Sequence, residues 1–176
     1  MTKLTLDHVH SSLNFQIKHM MVSKAKGEFE SFDVEFSGDL NDLPSAQVVV
    51  TIPVTSINTG NEQRDGHLRS GDFFEADQYP NLVFRSTSIE KISEEEYKVT
   101  GDFTIKGETR EETFTVEYNG TSKSPLDGST VAGFDVSGKI DREAYGLTYN
   151  AALETGGVLL GKDVKFEGNF EFVVSE

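Results

Sequence analysis

From Val164 to Val174 nearly every second residue is apolar. Val164, Phe166, Gly168, Phe170, Phe172 and Val174 alternate with Lys165, Glu167, Asn169 and Glu171, and only Val173 breaks the rule. Side chains that point alternately to opposite faces accommodate such a pattern as a strand with one dry and one wet face, whereas a helix would scatter both sets around its circumference. The same period recurs at Leu13, Phe15, Ile17 and His19, at Phe32, Val34 and Phe36, and at Val48, Val50, Ile52 and Val54 around Pro53. It returns at Leu82 and Phe84, at Val99, Phe103 and Ile105, at Phe114, Val116 and Tyr118, and at Phe134, Val136 and Ile140.

The punctuation between these runs is that of an antiparallel meander. Gly38-Asp39, Asn119-Gly120 and Asp127-Gly128 supply residues that tolerate positive φ in tight turns, and the polar stretch from about Asn119 to Thr130 reads as a long hairpin loop. One segment departs from the period. Thr59 to about Phe74 holds few β-branched residues, and Thr59-Gly-Asn-Glu62 has the form of a capping box, so a short helix is expected there.

About eight such strands and one helix predict an all-β chain forming one domain over residues 1–176, an extended antiparallel barrel with the helix near one end. A two-sheet sandwich is the alternative. The barrel either fills its interior with side chains or holds one small apolar ligand, a choice that the alternation leaves open. Thirteen Phe and five Tyr distinguish the sequence from a disordered acidic chain. Sixteen Lys and Arg against thirty Asp and Glu give a net charge of −14, which argues against nucleic acid and anionic membrane surfaces as partners. The absence of Cys removes disulfides, thiolate nucleophiles and Cys-ligated metals. No leader-like apolar segment precedes Met20 and no run is long enough to span a bilayer, so a cytoplasmic location is expected, or an exported one if a leader has been removed.

Candidate chemistry is sparse. His8 and His10, if on one strand, would share a face and begin a metal site, but no third ligand stands nearby, and no metal is expected. Gly156 to Asp163 imitates a phosphate loop as far as Lys162, then places Asp163 where a hydroxyl is needed and a strand where a helix should start. Glu94-Glu95-Glu96 and Glu111-Glu112 read as solvated faces beside turns. No Gly-x-Ser-x-Gly elbow is present. One cluster stands out: Arg64, Asp65, His67, Arg69 and Asp72 are interleaved with Leu68, Phe73 and Phe74, as in a helix lying over a barrel mouth.

At that cluster the sequence resembles the YceI-like family of lipocalin-like, polyisoprenoid-binding proteins. The matching residues begin with Asp7, His10-Ser11, Phe15, His19, Gly27 and Phe29, and are densest over Ser56-Ile-Asn-Thr-Gly60, Arg64-Asp65, His67-Leu-Arg-Ser70 and Asp72-Phe-Phe74. They continue through Tyr79-Pro80, Phe84, Gly101-Asp-Phe-Thr-Ile-Lys-Gly107, Ile140-Asp-Arg142, Tyr145-Gly-Leu147 and Val164, so the resemblance covers essentially the whole chain. Asn58 stands where Asp is usual, Phe103 where Leu is usual, and Asp141 where Ser or Asn is more frequent.

The resemblance implies a barrel enclosing a tunnel, with a lipid tail inside and its head near one opening. The expected function is non-catalytic binding, sequestration or transport of a polyisoprenoid, isoprenoid-quinone or fatty-acyl molecule. The partner is thus an amphiphilic or hydrophobic small molecule, and no cofactor is required. The expected wall is Phe15, Ile17, Phe29, Phe84, Phe103, Phe134 and Phe170, with Leu68, Phe73 and Phe74 at the helix-covered end and His19, Arg64, Arg142 and Tyr145 at the head group. Two alternatives are an enzyme acting on a hydrophobic substrate or quinone cofactor, and a stress-response module whose barrel is filled by its own side chains. The resemblance is also compatible with a homodimer.

Overall fold

The alternating segments become eleven antiparallel strands in a computed structural model that describes residues 3–150, Leu153 and 160–175. In chain order they are β1 (Lys3–Leu6), β2 (Ser12–His19), β3 (Ser23–Phe29), β4 (Asp33–Asp39), β5 (Asp42–Pro53) and β6 (Ile57–Asn58). After helix α1 (Glu62–Arg69) come β7 (Asn81–Lys91), β8 (Glu96–Ile105), β9 (Glu108–Lys123), β10 (Thr130–Asp141) and β11 (Leu160–Ser175). All belong to one sheet in the order β4-β5-β7-β8-β9-β10-β11-β2-β3-β6, with β1 paired to β11 beside β2. There is no second sheet among the described residues, which removes the sandwich alternative. The strands outnumber the expected eight by three: β1 and β6 are too short to show a period, at four and two residues, and β3 offers only Ala25, Gly27 and Phe29 on its inner face.

The sheet curls into a half-barrel of lipocalin-like, all-β type, with β1 packed against β4 across the gap and β4 and β6 ending the paired path. Curvature is helped by bulges in the β7–β8 and β9–β10 pairings and by close packing at glycines. A Cβ on Gly101 would lie 2.2 Å from the Arg85 carbonyl oxygen and 2.8 Å from the Phe84 ring, so this position of β8 is open only to glycine. On β3, a Cβ at Gly27 would meet the ring tip of Phe15 at 2.5 Å, which lets that ring lie flat over the strand.

Several local expectations are corrected. Asn119-Gly120 is not a turn: both residues lie within β9, where Gly120 has φ +86° at the bulge opposite Gly133, and the loop to β10 is confined to 124–129. The bulge absorbs the positive φ that the sequence advertises as a hairpin. At Gly38-Asp39 the β4–β5 register shifts, with the extra residues on β5, and the turn falls one step later at Leu40-Asn41. Helix α1 forms, but its N-cap is Asn61, whose Oδ1 accepts from Arg64 N at 3.0 Å, rather than Thr59. Thr59 is engaged elsewhere: its backbone N–H and Oγ1 both donate to Oδ1 of the buried Asp65. His8 and His10 lie in the β1–β2 connection, not on one strand. The first half of Gly156 to Asp163 is outside the described residues, and the rest, from Leu160, is β11 strand.

Candidate functional site

The apolar faces of β4, β5 and β7–β11 converge on a chamber of about 160 Å³. Phe84, Phe103, Phe114, Phe134 and Phe170 surround it, and no charged side chain among the described residues lines it. Edge-to-face contacts fix several of these rings, with centroids 5.3 Å apart for Phe84–Phe114 and 5.7 Å for Phe134–Phe172. The strands continue into a second chamber of about 260 Å³. One step of two residues carries the wall from the first to the second, from Phe84 to Leu82 on β7, from Phe103 to Ile105 on β8 and from Phe166 to Val164 on β11. Phe166 alone, among the described residues, lines both.

The second chamber is covered by α1 and the loop after it, through Leu68, Phe73 and Phe74. His67, Phe73 and Tyr149 form a ring triangle at its edge, with centroids 4.9–5.1 Å apart. His67 Nε2 lies 2.9 Å from Asp72 Oδ2, and Lys106 Nζ donates to the Gly71 carbonyl at 3.1 Å, holding the loop over β8 and β9. Arg64 is fastened by donating from Nε to Thr59 Oγ1 and from Nη2 to the Thr59 carbonyl, both at 2.7 Å. Among the described residues, the charged ones on this wall are Lys26, Arg64 and Arg142, and no carboxylate lines it. For a chain of net charge −14 that selection is marked.

Arg142 is 3% exposed. Its Nε donates to the Gly161 carbonyl at 2.8 Å, and its Nη1 to the carbonyls of Leu147 and Tyr149, the latter at 3.0 Å. Among the described residues Nη2 has no acceptor. All the partners are neutral, and burial draws the guanidinium below its ordinary pKa while Glu143 and Asp141 oppose the shift. A buried N–H without a partner costs about 1–3 kcal/mol, more on a charged group, so an oxygen acceptor placed there would be favoured.

Of the residues singled out in the sequence, Phe84, Phe103, Phe134 and Phe170 line the first chamber. Phe15, Ile17, His19, Phe29, Arg64, Leu68, Phe73, Phe74 and Arg142 line the second. Tyr145 lines neither. It is fully buried behind Phe103, with its hydroxyl donating to Glu112, and burial together with that carboxylate drives its pKa far upward. The sequence reading misses Lys26, Tyr149 and Phe166. Phe166 sits on the alternating face of its strand and was legible there, whereas Tyr149 lies in a connection without period and Lys26 on the polar side of β3.

At the other end of the sheet, His10 Nδ1 lies 2.8 Å from Asp7 Oδ2 and 3.5 Å from Glu171 Oε2. The Asp7 hydrogen bond raises the His10 pKa, and the same bond lowers that of Asp7. His8 turns away to pack against Phe32. The group closes the β1–β2 connection: Asp7 also accepts from the backbone N–H groups of Val9 and His10.

This fold is shared with known proteins. The YceI-like domain profile matches residues 4–172, and the chain belongs to that family. It is 57% identical over 176 residues, the full length of both chains, to a UPF0312 protein of Staphylococcus aureus strain USA300. Among solved structures, the Campylobacter jejuni YceI protein superposes with a TM-score of 0.69 at 32% identity, covering 87% of this chain and 89% of that one. Burkholderia cenocepacia BcnA gives a TM-score of 0.79 at 23% identity over 97% and 99% of the two chains. A polyisoprenoid binding domain from Saccharophagus degradans gives 0.68 at 16% identity over 99% and 100%. No helix among the described residues is long and apolar enough to cross a membrane.

Proposed function

We propose that the chain binds one long-chain lipid without chemically altering it, holding the tail in the apolar chamber and the head in the chamber that carries Lys26, Arg64 and Arg142. The observation that carries this reading is the polarity of the interior: among the described residues, a chamber lined without charge leads, along the same strands, into one lined by three cations and no carboxylate. Neither chamber alone reaches the roughly 300–1,000 Å³ usual for a ligand pocket, but the two joined past Phe166 do. Each buried methylene contributes about 0.8 kcal/mol, so ten supply roughly 8 kcal/mol before the costs of ordering and association. Tail burial therefore supplies the affinity, and the head-group chamber selects a lipid ending in oxygen acceptors, as in an isoprenoid phosphate, a quinone or a fatty acid. The polyisoprenoid binding domain that shares the fold supports a ligand of this kind.

The test is organic extraction of protein purified without detergent, followed by mass spectrometry, together with titration of a fluorescent fatty acid into delipidated protein. A stoichiometric lipid, or saturable uptake at one site per chain, is expected. Repeated extraction of no lipid together with no saturable uptake would overturn the reading.

A further inference from the structure

The turn joining β2 and β3 stands beside the second chamber, since Ile17 and His19 on one strand and Ala25 and Lys26 on the other line it. Its residues are Met20, Met21 and Val22, exposed by 46%, 50% and 87%. Both methionines have positive φ, 53° and 65°, and the Val22 N–H donates across the turn to the His19 carbonyl. Asn-Gly is the favoured pair for such a turn, and unbranched apolar residues there meet both a conformational and a solvation cost. The rim continues in Leu160, which pairs with His19, and in the partly exposed Tyr149, next to the Asn150 side chain that bonds both backbone groups of Leu160.

The charge on this hairpin opposes that of the chain. No Asp or Glu occurs between Asp7 and Glu28, while Lys18, Lys24 and Lys26 fall within nine residues. Lys18 and Lys24 are register partners on the outer face, and Lys26 continues across Gln16 to Lys165 on β11. None of these four lysines makes an ion pair with a described residue. At physiological salt the screening length is about 8 Å, so a surface touching the tip feels these lysines while most of the distant carboxylates are screened.

We propose that this hairpin tip is a docking surface for an anionic lipid bilayer, with Met20, Met21 and Val22 entering the headgroup layer and Lys18 and Lys24 resting on the lipid phosphates. The purpose assigned to it, presenting the chamber mouth to the membrane so that lipid enters or leaves, rests on the function proposed above, although its observations do not. Apolar groups at the tip with cations immediately behind them match the two layers of such a surface in order of depth. The net charge of −14 excludes general adhesion to anionic membranes but not contact through this one face.

Delipidated full-length protein is to be sedimented with vesicles of phosphatidylcholine alone and of phosphatidylcholine with phosphatidylglycerol in equal parts. Binding is expected only to the anionic vesicles, weakening as salt rises. Each lysine near such a surface is worth about fivefold in affinity, so K18E/K24E is expected to bind at least about 25-fold more weakly. The variant M20N/M21G suits the turn at least as well as the natural pair and so keeps the hairpin folded, and it is expected to lose at least about tenfold. Neither variant touches a chamber wall, so uptake of a fluorescent fatty acid from solution should stay unchanged. That separates failure of docking from failure of lipid binding. Wild-type protein that ignores anionic vesicles, or variants that bind them as well as it does, would overturn the proposal. So would self-association abolished by K18E/K24E without vesicle binding, which would make a second acidic copy of this chain the occupant.

Discussion

Replacing Phe166 by alanine removes the ring shared by both chambers, and its consequences can be worked out for the empty and the loaded protein. A fully buried Phe→Ala change costs about 3–5 kcal/mol. Phe166 is half-buried, packing against Phe103 at a centroid distance of 6.3 Å, so about 2 kcal/mol is expected. For a chain of 176 residues, each kcal/mol moves the melting temperature by about 2–4 °C, so the delipidated variant should melt about 4–8 °C lower. With the ring gone the passage between the two chambers widens, and a long tail can fill the vacated space with two or three more methylene contacts at about 0.8 kcal/mol each. Saturating long-chain fatty acid should therefore raise the variant's melting temperature by more than it raises the wild type's, by an amount close to the initial loss. A short-chain acid that cannot reach Phe166 should show no such excess. Thermal melts with a chain-length series supply the measurement. An unmoved melting temperature without lipid, or a lipid-induced rise equal in both proteins at every chain length, would refute the reasoning.

Gly101→Ala should destabilise the protein by at least about 3 kcal/mol in urea unfolding, because the new Cβ meets the Arg85 backbone, which cannot rotate away. Asp65→Ala should cost about 2–4 kcal/mol in the same assay, since it strips Thr59 N–H and Oγ1 of their acceptor beneath α1 and loosens the Arg64 anchor. His10 should titrate above its ordinary 6.5 and Asp7 below its ordinary 3.8 in NMR, and Asp7→Asn should return His10 toward its ordinary value. Because the folded His10 pKa is raised, its stabilising contribution is full below 6.5 and lost as pH rises through the folded value; that of Asp7, whose folded pKa is lowered, is present above 3.8 and lost as pH falls.

The alternation from Val164 to Val174 was enough to place β11, since a strand with one dry face has no other way to sort Phe166, Phe170 and Phe172 from Lys165, Glu167 and Glu171. The same logic identified Phe84, Phe103 and Phe134 as interior residues. It failed at Asn119-Gly120, because a positive-φ glycine serves a bulge as well as a hairpin, and nothing local separates the two. It also failed to separate the roles of Arg142 and Tyr145, three residues apart in one short 3₁₀ turn (Arg142–Tyr145). One lines the chamber and the other points behind its wall, a difference set by the direction in which the chain leaves β10. The division of the interior into two chambers was equally hidden, because Phe166 differs from Phe170 in sequence only by position. The basic hairpin was diluted in the total charge, which averages a local excess of lysine into a strongly acidic sum.

The claim on which everything else depends is that a lipid lies with its tail in the charge-free chamber and its head beside Arg142. A long-chain fatty acid carrying a diazirine at its terminal carbon, bound to delipidated protein, irradiated and mapped by peptide mass spectrometry, reports the position of the tail end directly. Adducts are expected on residues of the first chamber, such as Phe84, Phe103, Phe134 and Phe170, with a shift to the second chamber when the diazirine is moved beside the carboxylate. Adducts confined to the outer face of the sheet, or the same adducts for both probes, would contradict it.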